Sequence, residues 1–275
     1  MGSLERRRGV FAGVLLGASV LGLLLTRGIP AAVRDSYPGA LPAHPYFVPD
    51  HAVLLYLLLP VACLAAVLVL VLPGIFLVLA LGRDERLEAV VVKGLGVSLA
   101  VHFVTTALAK TFFPRPIDPA TFLALIIGAG VVAWGILVAR LSGKGELRWP
   151  ASDGTTHRRL GWMAALVVVT VAVLLPILFW QDLNPDGFEA IEIGRSLSWT
   201  VLPRFLTKSG LVGLGIGMLP MAYPIHWFVM LFGPIEAAAR LPLVLYLPVL
   251  FASILALIEL RSPRRLGRFE ETAIV

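Results

Sequence analysis

The chain has 275 residues, of which 58% are hydrophobic and 15% are charged, and its formal net charge is +6. Its mean hydropathy of +0.89 and its recurring apolar runs exclude a soluble globular domain, because a run of about 20 apolar residues lets a helix cross a bilayer. The runs are continuous rather than alternating, which excludes a closed barrel and predicts an all-α, polytopic transmembrane helical bundle. The basic residues are scattered among short loops, where topogenic charge explains them at least as well as nucleic acid binding, so we expect no nucleic acid partner.

Four apolar runs predict four transmembrane helices in the first half of the chain. The first, 10–26, follows three arginines and reads as a retained signal anchor. The next segment, 27–50, is rich in proline, so we expect it to lack regular structure. The other three predicted spans are 52–81, 89–109 and 120–139. Together the four spans make up a predicted N-terminal membrane module, residues 1–150, of unassigned role.

Two features inside these spans leave alternatives open. Pro60 and Pro73-Gly74 interrupt the second span, which predicts one kinked helix, with a re-entrant pair of shorter helices as the alternative. Lys93 and His102 lie in the third span, where a polar side chain can serve function or bundle packing.

A polar segment, 140–159, marks the boundary with a second predicted unit, residues 151–275. This unit begins with a fifth predicted span, 160–180. With the N-terminus in the cytoplasm, the inner segments up to this span carry more Lys and Arg than the outer loops, which places residue 181 outside. A sixth span at 235–260 would return the following arginines to the cytoplasm, as the same charge rule prefers.

The sequence therefore predicts about six spans in an integral protein of the plasma membrane, with both termini in the cytoplasm. The first external loop of the second unit, 181–234, is expected to carry helices that lie on the membrane surface. Whether the apolar part of this loop, 211–232, crosses the membrane stays open at this point.

Four acidic residues follow the fifth span within a short distance: Asp182, Asp186, Glu189 and Glu192. Asp186 could cap a helix that begins at this point, because an aspartate accepts hydrogen bonds from first-turn amides. It could also be a carboxylate beside the bilayer that binds or deprotonates an acceptor hydroxyl. The residues alone leave both interpretations open.

Five short motifs follow the fifth span in order. They are Pro185-Asp186, Glu192-Ile193-Gly194-Arg195, Tyr223-Pro224-Ile225-His226-Trp227, Leu231-Phe232-Gly233 and Ala239-Arg240-Leu241-Pro242. This order resembles the GT-C membrane glycosyltransferases, in particular the branch with the lipid A aminoarabinose transferases and the protein O-mannosyltransferases. The resemblance covers residues 160–275, and we expect the family's lipid-donor elements and second acidic loop to lie beyond Val275, in a longer enzyme.

The resemblance implies transfer of a sugar from a polyprenyl-phosphate donor to an acceptor outside the cytoplasm, with inversion at the anomeric carbon. Asp186 matches the family's essential carboxylate. Many members have Asp-Glu at this point, whereas this chain has Asp186-Gly187, so Glu189 is the next acid. Asp186 and Glu189 are the predicted catalytic residues and the predicted ligands of a divalent metal, Mg²⁺ or Mn²⁺. The predicted substrate-binding residues are Glu192, Arg195, His226 and Arg240.

A different class of function competes with the enzyme. The chain could be a non-catalytic membrane subunit or scaffold that uses the same fold fragment to bind a lipid or a membrane protein partner. A transporter component is less supported, because the spans lack the paired internal repeat and the midplane charges expected of one.

Overall fold

The computed structural model describes residues 3–35, 53–82, 87–112, 117–143, 154–180 and 223–233, with short stretches between 240 and 255. This part of the chain is helical and contains no strand, which confirms the all-α class for it. The helices are α1 (Ser3–Thr26), α2 (Ile29–Asp35), α3 (Val53–Leu81), α4 (Leu87–Phe112), α5 (Pro119–Ser142), α6 (Gly154–Trp180) and α7 (Tyr223–Phe232).

Among the residues that the structure describes, four helical stretches are long and apolar enough to cross a membrane, and they fall where the sequence predicts the first four spans. They are Leu4–Val33, Val53–Leu81, Ala89–Ala109 and Pro119–Ser142. The fifth predicted span, 160–180, lies within α6. Most of the sixth predicted span and the predicted loop before residue 223 lie outside the described residues.

The second predicted span forms one continuous helix. α3 contains both Pro60 and Pro73 within one helix, which supports the single-helix interpretation over the re-entrant pair. Proline removes a backbone donor inside a helix, and in lipid neighbouring helices must satisfy the carbonyl that is freed. α3 therefore needs polar partners on an adjacent helix.

A short helix lies within the segment that we expect to be irregular, so that prediction is wrong for residues 29–35. α2 begins at Ile29 and carries Pro30 in its first turn. Proline is tolerated there because the first-turn amides have no intrahelical partner and the fixed φ of the ring suits the helix. The other prolines of the segment lie outside the described residues.

α3 is the central helix of the bundle. In its most apolar stretch 61% of residues are buried, against 33% in each of the other three candidate spans. One hydrophobic cluster joins the middle of α3 to α4, α5 and α7, and a second joins its C-terminal half to α1 and α5. Transmembrane helices associate through close packing and interhelical hydrogen bonds, so the contacts of α3 position the site.

α7 is buried in the bundle. All of its residues are buried except Met230, which is half-buried, and its aromatic rings contact α4 near the middle of the candidate span Ala89–Ala109. The expectation that helices of residues 181–234 lie on the membrane surface is not confirmed for α7. α7 also packs in the same cluster as α3 and α5, so residues from both predicted units share one core; the division at residue 150 stays a prediction.

Candidate functional site

The site begins at a break in the backbone hydrogen bonding of α3. Pro73 has no N–H, so the carbonyl four residues earlier loses its usual donor. The next amide, Gly74 N–H, donates to the Ser98 hydroxyl oxygen of α4 at 2.7 Å. The same hydroxyl donates to Val71 O at 2.7 Å. One serine of α4 thus provides both an acceptor and a donor to the interrupted stretch of α3.

His102 makes a further polar contact with this part of α3, one turn further along α4. Its Nε2 lies 2.8 Å from Leu70 O, the carbonyl that Gly74 N–H would contact in a regular helix. Since a carbonyl oxygen only accepts, Nε2 carries the proton, and in the neutral ring Nδ1 is left as an acceptor. Ser98 and His102 are four residues apart, which places both on the face of α4 that contacts α3.

Two glycines allow the helices to approach closely enough for these bonds. A side-chain carbon on Gly74 would collide with the backbone of α4, at Gly94 O and Ser98 N. A side-chain carbon on Gly94 would lie 2.8 Å from Ile75 Cα. Small residues at such crossings bring backbones close together in membranes. The contact between α3 and α4 therefore depends on residue size on both helices.

Aromatic rings of α7 cover the same part of α4. The Trp227 ring contacts the His102 ring edge-on, with centroids 5.5 Å apart and planes at 65°. The Tyr223 ring, one turn earlier, contacts Phe103 at 4.6 Å and 64°. Edge-to-face pairs at such distances are favourable beyond the area that they bury. These contacts fix the face that α7 presents to α4.

Gly233 ends α7, which gives a physical reason for the Leu-Phe-Gly motif. Its φ of +88° is in the left-handed region that favours glycine, and its N–H donates to Val229 O at 2.8 Å. A glycine in this conformation is a common way to end a helix.

An apolar pocket of about 280 Å³ lies between α4 and α7. Leu99 is at the midpoint of the candidate span Ala89–Ala109, so the pocket lies near the middle of the length of that span. Pockets for small molecules are concave, mostly apolar and of about this volume or larger. The lining residues are Leu99, Ala100, Phe103, Tyr223, Pro224, Trp227 and Tyr246.

Most of the site residues predicted from the sequence lie outside the described part of the chain. This applies to Asp186, Glu189, Glu192 and Arg195, and with them to both predicted metal ligands. In the ranges that the structure describes, no group of three or more His, Cys, Asp or Glu side chains could hold a metal ion.

The other two predicted substrate-binding residues are described. His226 is 3% exposed, and its ring contacts Phe122 of α5 edge-on at 6.0 Å, so it packs inside the bundle. It is not among the residues that line the pocket. Arg240 is half-buried. Their substrate-binding role stays a prediction.

Several residues of the site have no place in the sequence-based predictions. Gly74 is singled out only as a break, and Ser98, Leu99 and Phe103 are not singled out at all. The sequence does contain a signal for this contact. A Pro-Gly pair inside a span requires polar partners, and Ser98 and His102 are two polar residues at helical spacing on the next span. Lys93, the other polar residue noted in that span, is exposed.

Comparison with protein-family models, with curated proteins and with solved structures finds no match to this chain. The resemblance to GT-C glycosyltransferases therefore rests on the five motifs alone. Of these, the Tyr-Pro-Ile-His-Trp motif supplies three pocket-lining residues, Tyr223, Pro224 and Trp227.

Proposed function

We propose that the chain is a membrane-embedded glycosyltransferase unit that holds the hydrocarbon tail of a polyprenyl-phosphate-linked sugar donor between α4 and α7. The observation that carries this proposal is the apolar, aromatic pocket near the middle of the candidate span Ala89–Ala109. At that depth the surrounding solvent is hydrocarbon, so a lipid tail is the chemistry that reaches the pocket. The four apolar helices are compatible with an integral membrane protein.

The pocket would contact the tail of the donor and not its sugar. The hydrocarbon layer is about 30 Å thick, so its middle lies about 15 Å from either surface. The proposed topology has six spans in the plasma membrane, with both termini in the cytoplasm. In this topology Asp186, which follows α6 in the chain, lies on the external side. Tail binding and sugar transfer would therefore be served by separate groups of residues.

In the proposed reaction, a carboxylate oxygen of Asp186 takes the proton of the acceptor hydroxyl. The hydroxyl oxygen then bonds to the anomeric carbon while the bond from that carbon to the phosphate oxygen breaks, and polyprenyl phosphate leaves. Mg²⁺ or Mn²⁺ held by Asp186 and Glu189 would neutralise charge on the leaving phosphate. Glu192, Arg195, His226 and Arg240 would bind the substrate.

The test uses the full chain in proteoliposomes with polyprenyl-phosphate sugars and an extract of envelope acceptors. We expect release of polyprenyl phosphate, and we expect Asp186→Ala to lower its rate by about 10²- to 10⁴-fold, the contribution typical of a general base. Asp182→Ala, a matched change four residues away, should retain the activity. Equal rates for the Asp186→Ala variant and the unchanged protein would sink the catalytic assignment.

The burial of His226 against Phe122 favours a second candidate, a non-catalytic membrane subunit in which the Tyr-Pro-Ile-His-Trp motif serves packing and lipid binding. The two candidates differ in one measurement. A subunit would bind a photoreactive polyprenyl phosphate at the pocket and release no polyprenyl phosphate from the sugar-linked donor.

A further inference from the structure

Among the buried side-chain polar atoms without a hydrogen-bond partner in the described part of the chain, two belong to rings that contact each other. They are Nδ1 of His102 and Nε1 of Trp227. Each side chain is only 1% exposed, and the two rings are in edge contact at 5.5 Å. Buried polar atoms are paired in the great majority of cases, by protein or by ordered water.

The two atoms are chemically complementary. His102 donates through Nε2 to Leu70 O, so its neutral ring offers a lone pair at Nδ1. The indole Nε1–H of Trp227 is a donor only. A molecule that fits both atoms must accept one hydrogen bond and donate one, which describes a hydroxyl. A metal ion does not fit, because an indole N–H has no lone pair to give it.

We propose that one water molecule binds between α4 and α7, accepting from Trp227 Nε1–H and donating to His102 Nδ1. Buried waters typically bridge otherwise unsatisfied polar groups, and in membranes they help to satisfy helices that proline interrupts. The bound water extends the path of hydrogen bonds from Leu70 O through His102 to Trp227. It thereby ties the interrupted part of α3 to the ring that lines the pocket, whether or not the protein transfers a sugar.

The experiment measures the two nitrogens in the full chain in proteoliposomes by solid-state NMR. Carbonyl-¹³C valine with ¹⁵N histidine identifies His102, because no other histidine follows a valine; ¹³C histidine with ¹⁵N tryptophan likewise identifies Trp227. We expect magnetisation transfer from water to both side chains, and an Nδ1 resonance typical of a hydrogen-bonded, unprotonated nitrogen. Absence of that transfer, or a protonated Nδ1, overturns the proposal without any variant.

A pair of variants adds an independent arm. Trp227→Phe keeps an aromatic ring and removes the donor, so the His102 Nδ1 resonance should move towards that of a nitrogen without a hydrogen bond. Trp134→Phe is the matched control, because Trp134 Nε1 donates to Gly9 O at 3.0 Å; the His102 signals should stay in place. An Nδ1 resonance that is the same in the Trp227→Phe variant as in the unchanged protein would also overturn the proposal.

Discussion

Gly74 and Ser98 are joined by a 2.7 Å hydrogen bond from the backbone of α3 to a side chain of α4. The bond lies one residue beyond Pro73, which has no N–H and so breaks the regular backbone hydrogen bonding of α3. The Ser98 hydroxyl in turn donates a hydrogen bond to Val71 O. The interface between these two helices is therefore polar at its centre, and the two buried groups of α3 depend on α4.

Removing the Ser98 hydroxyl should destabilise the protein. Ser98→Ala leaves both the Gly74 amide and Val71 O without this partner, and interhelical hydrogen bonds in membranes contribute about 0.6–2 kcal/mol. We expect a loss of about 1 kcal/mol or more on this scale, measured by unfolding in detergent micelles. Ser19→Ala is the control, because Ser19 is also buried yet donates only to Leu15 O of its own helix. A Ser98→Ala variant as stable as Ser19→Ala would contradict the proposed importance of the bond.

Adding a methyl group to Gly74 should separate α3 from α4. The new carbon would meet backbone atoms of Gly94 and Ser98, which cannot move aside as a flexible side chain can. Overpacking of this kind typically costs about 1–3 kcal/mol, and we expect Gly74→Ala at or above that range, with loss of folded protein. Gly96→Ala places a methyl group in open space on α4, and since alanine favours the helix by about 0.5–1 kcal/mol it should be neutral or stabilising. Thermal unfolding of the two variants side by side provides the measurement.

Filling the pocket should block binding of a lipid tail. Ala100 lines the pocket, and Ala100→Trp introduces a ring into the space that the tail would occupy. We expect photolabelling of the pocket by a polyprenyl phosphate with a diazirine in its tail to fall at least tenfold. Leu108→Trp is the control, because Leu108 is exposed and lies about 12 Å further along α4. Equal labelling of the two variants would contradict the location of the tail.

Asp118, the residue that caps the N-terminus of α5, should titrate at lower pH than an ordinary aspartate. Asp118 accepts hydrogen bonds from the Thr121 hydroxyl at 2.6 Å and from the Thr121 and Ala120 amides, each at 2.9 Å. These bonds, the hydroxyl first, hold the pKa of Asp118 below its ordinary value, because they stabilise the charged carboxylate. Because the pKa of Asp118 is lower in the folded protein than in the unfolded chain, the carboxylate stabilises the folded state. This stabilisation is fully present above the pKa of the unfolded chain, about 4, and is lost as the pH falls through the pKa of the folded protein.

Thr121→Val tests this cap, because it removes the hydroxyl and keeps the side-chain shape. We expect the midpoint of the Asp118 carboxyl signal, followed by ¹³C NMR, to rise towards the ordinary value. Thr105→Val on α4 should leave the midpoint unchanged. A midpoint that does not move in Thr121→Val would exclude the hydroxyl as the main cause.

Long apolar runs made the helices of the first half predictable. The predicted span 52–81 agrees within three residues with α3, and the predicted span 120–139 agrees equally well with α5. The agreement arises because hydrocarbon thickness sets the length of a span. α2 was not predictable from proline content alone, since a proline in the first turn of a helix has little cost. The partnership of Ser98 and His102 with α3 depends on which faces of two helices meet, and residue types along one span do not determine that. The predicted catalytic acids stay predictions, because they lie outside the described residues.

The hydrogen bonds between α3 and α4 bear on how these two candidate spans would enter a bilayer. α3 is the most apolar of the four candidate spans and α4 is the least apolar. α3 also leaves the ribosome before α4. α3 would enter the bilayer readily, but its backbone hydrogen bonding is broken at Pro73. It can then offer hydrogen-bond partners to the serine and histidine of α4, which make insertion of α4 into lipid less favourable. We expect insertion of α4, measured by glycosylation mapping, to fall when Pro73 and Gly74 are both replaced by leucine. α3 is thus synthesised before α4, the helix whose insertion depends on it.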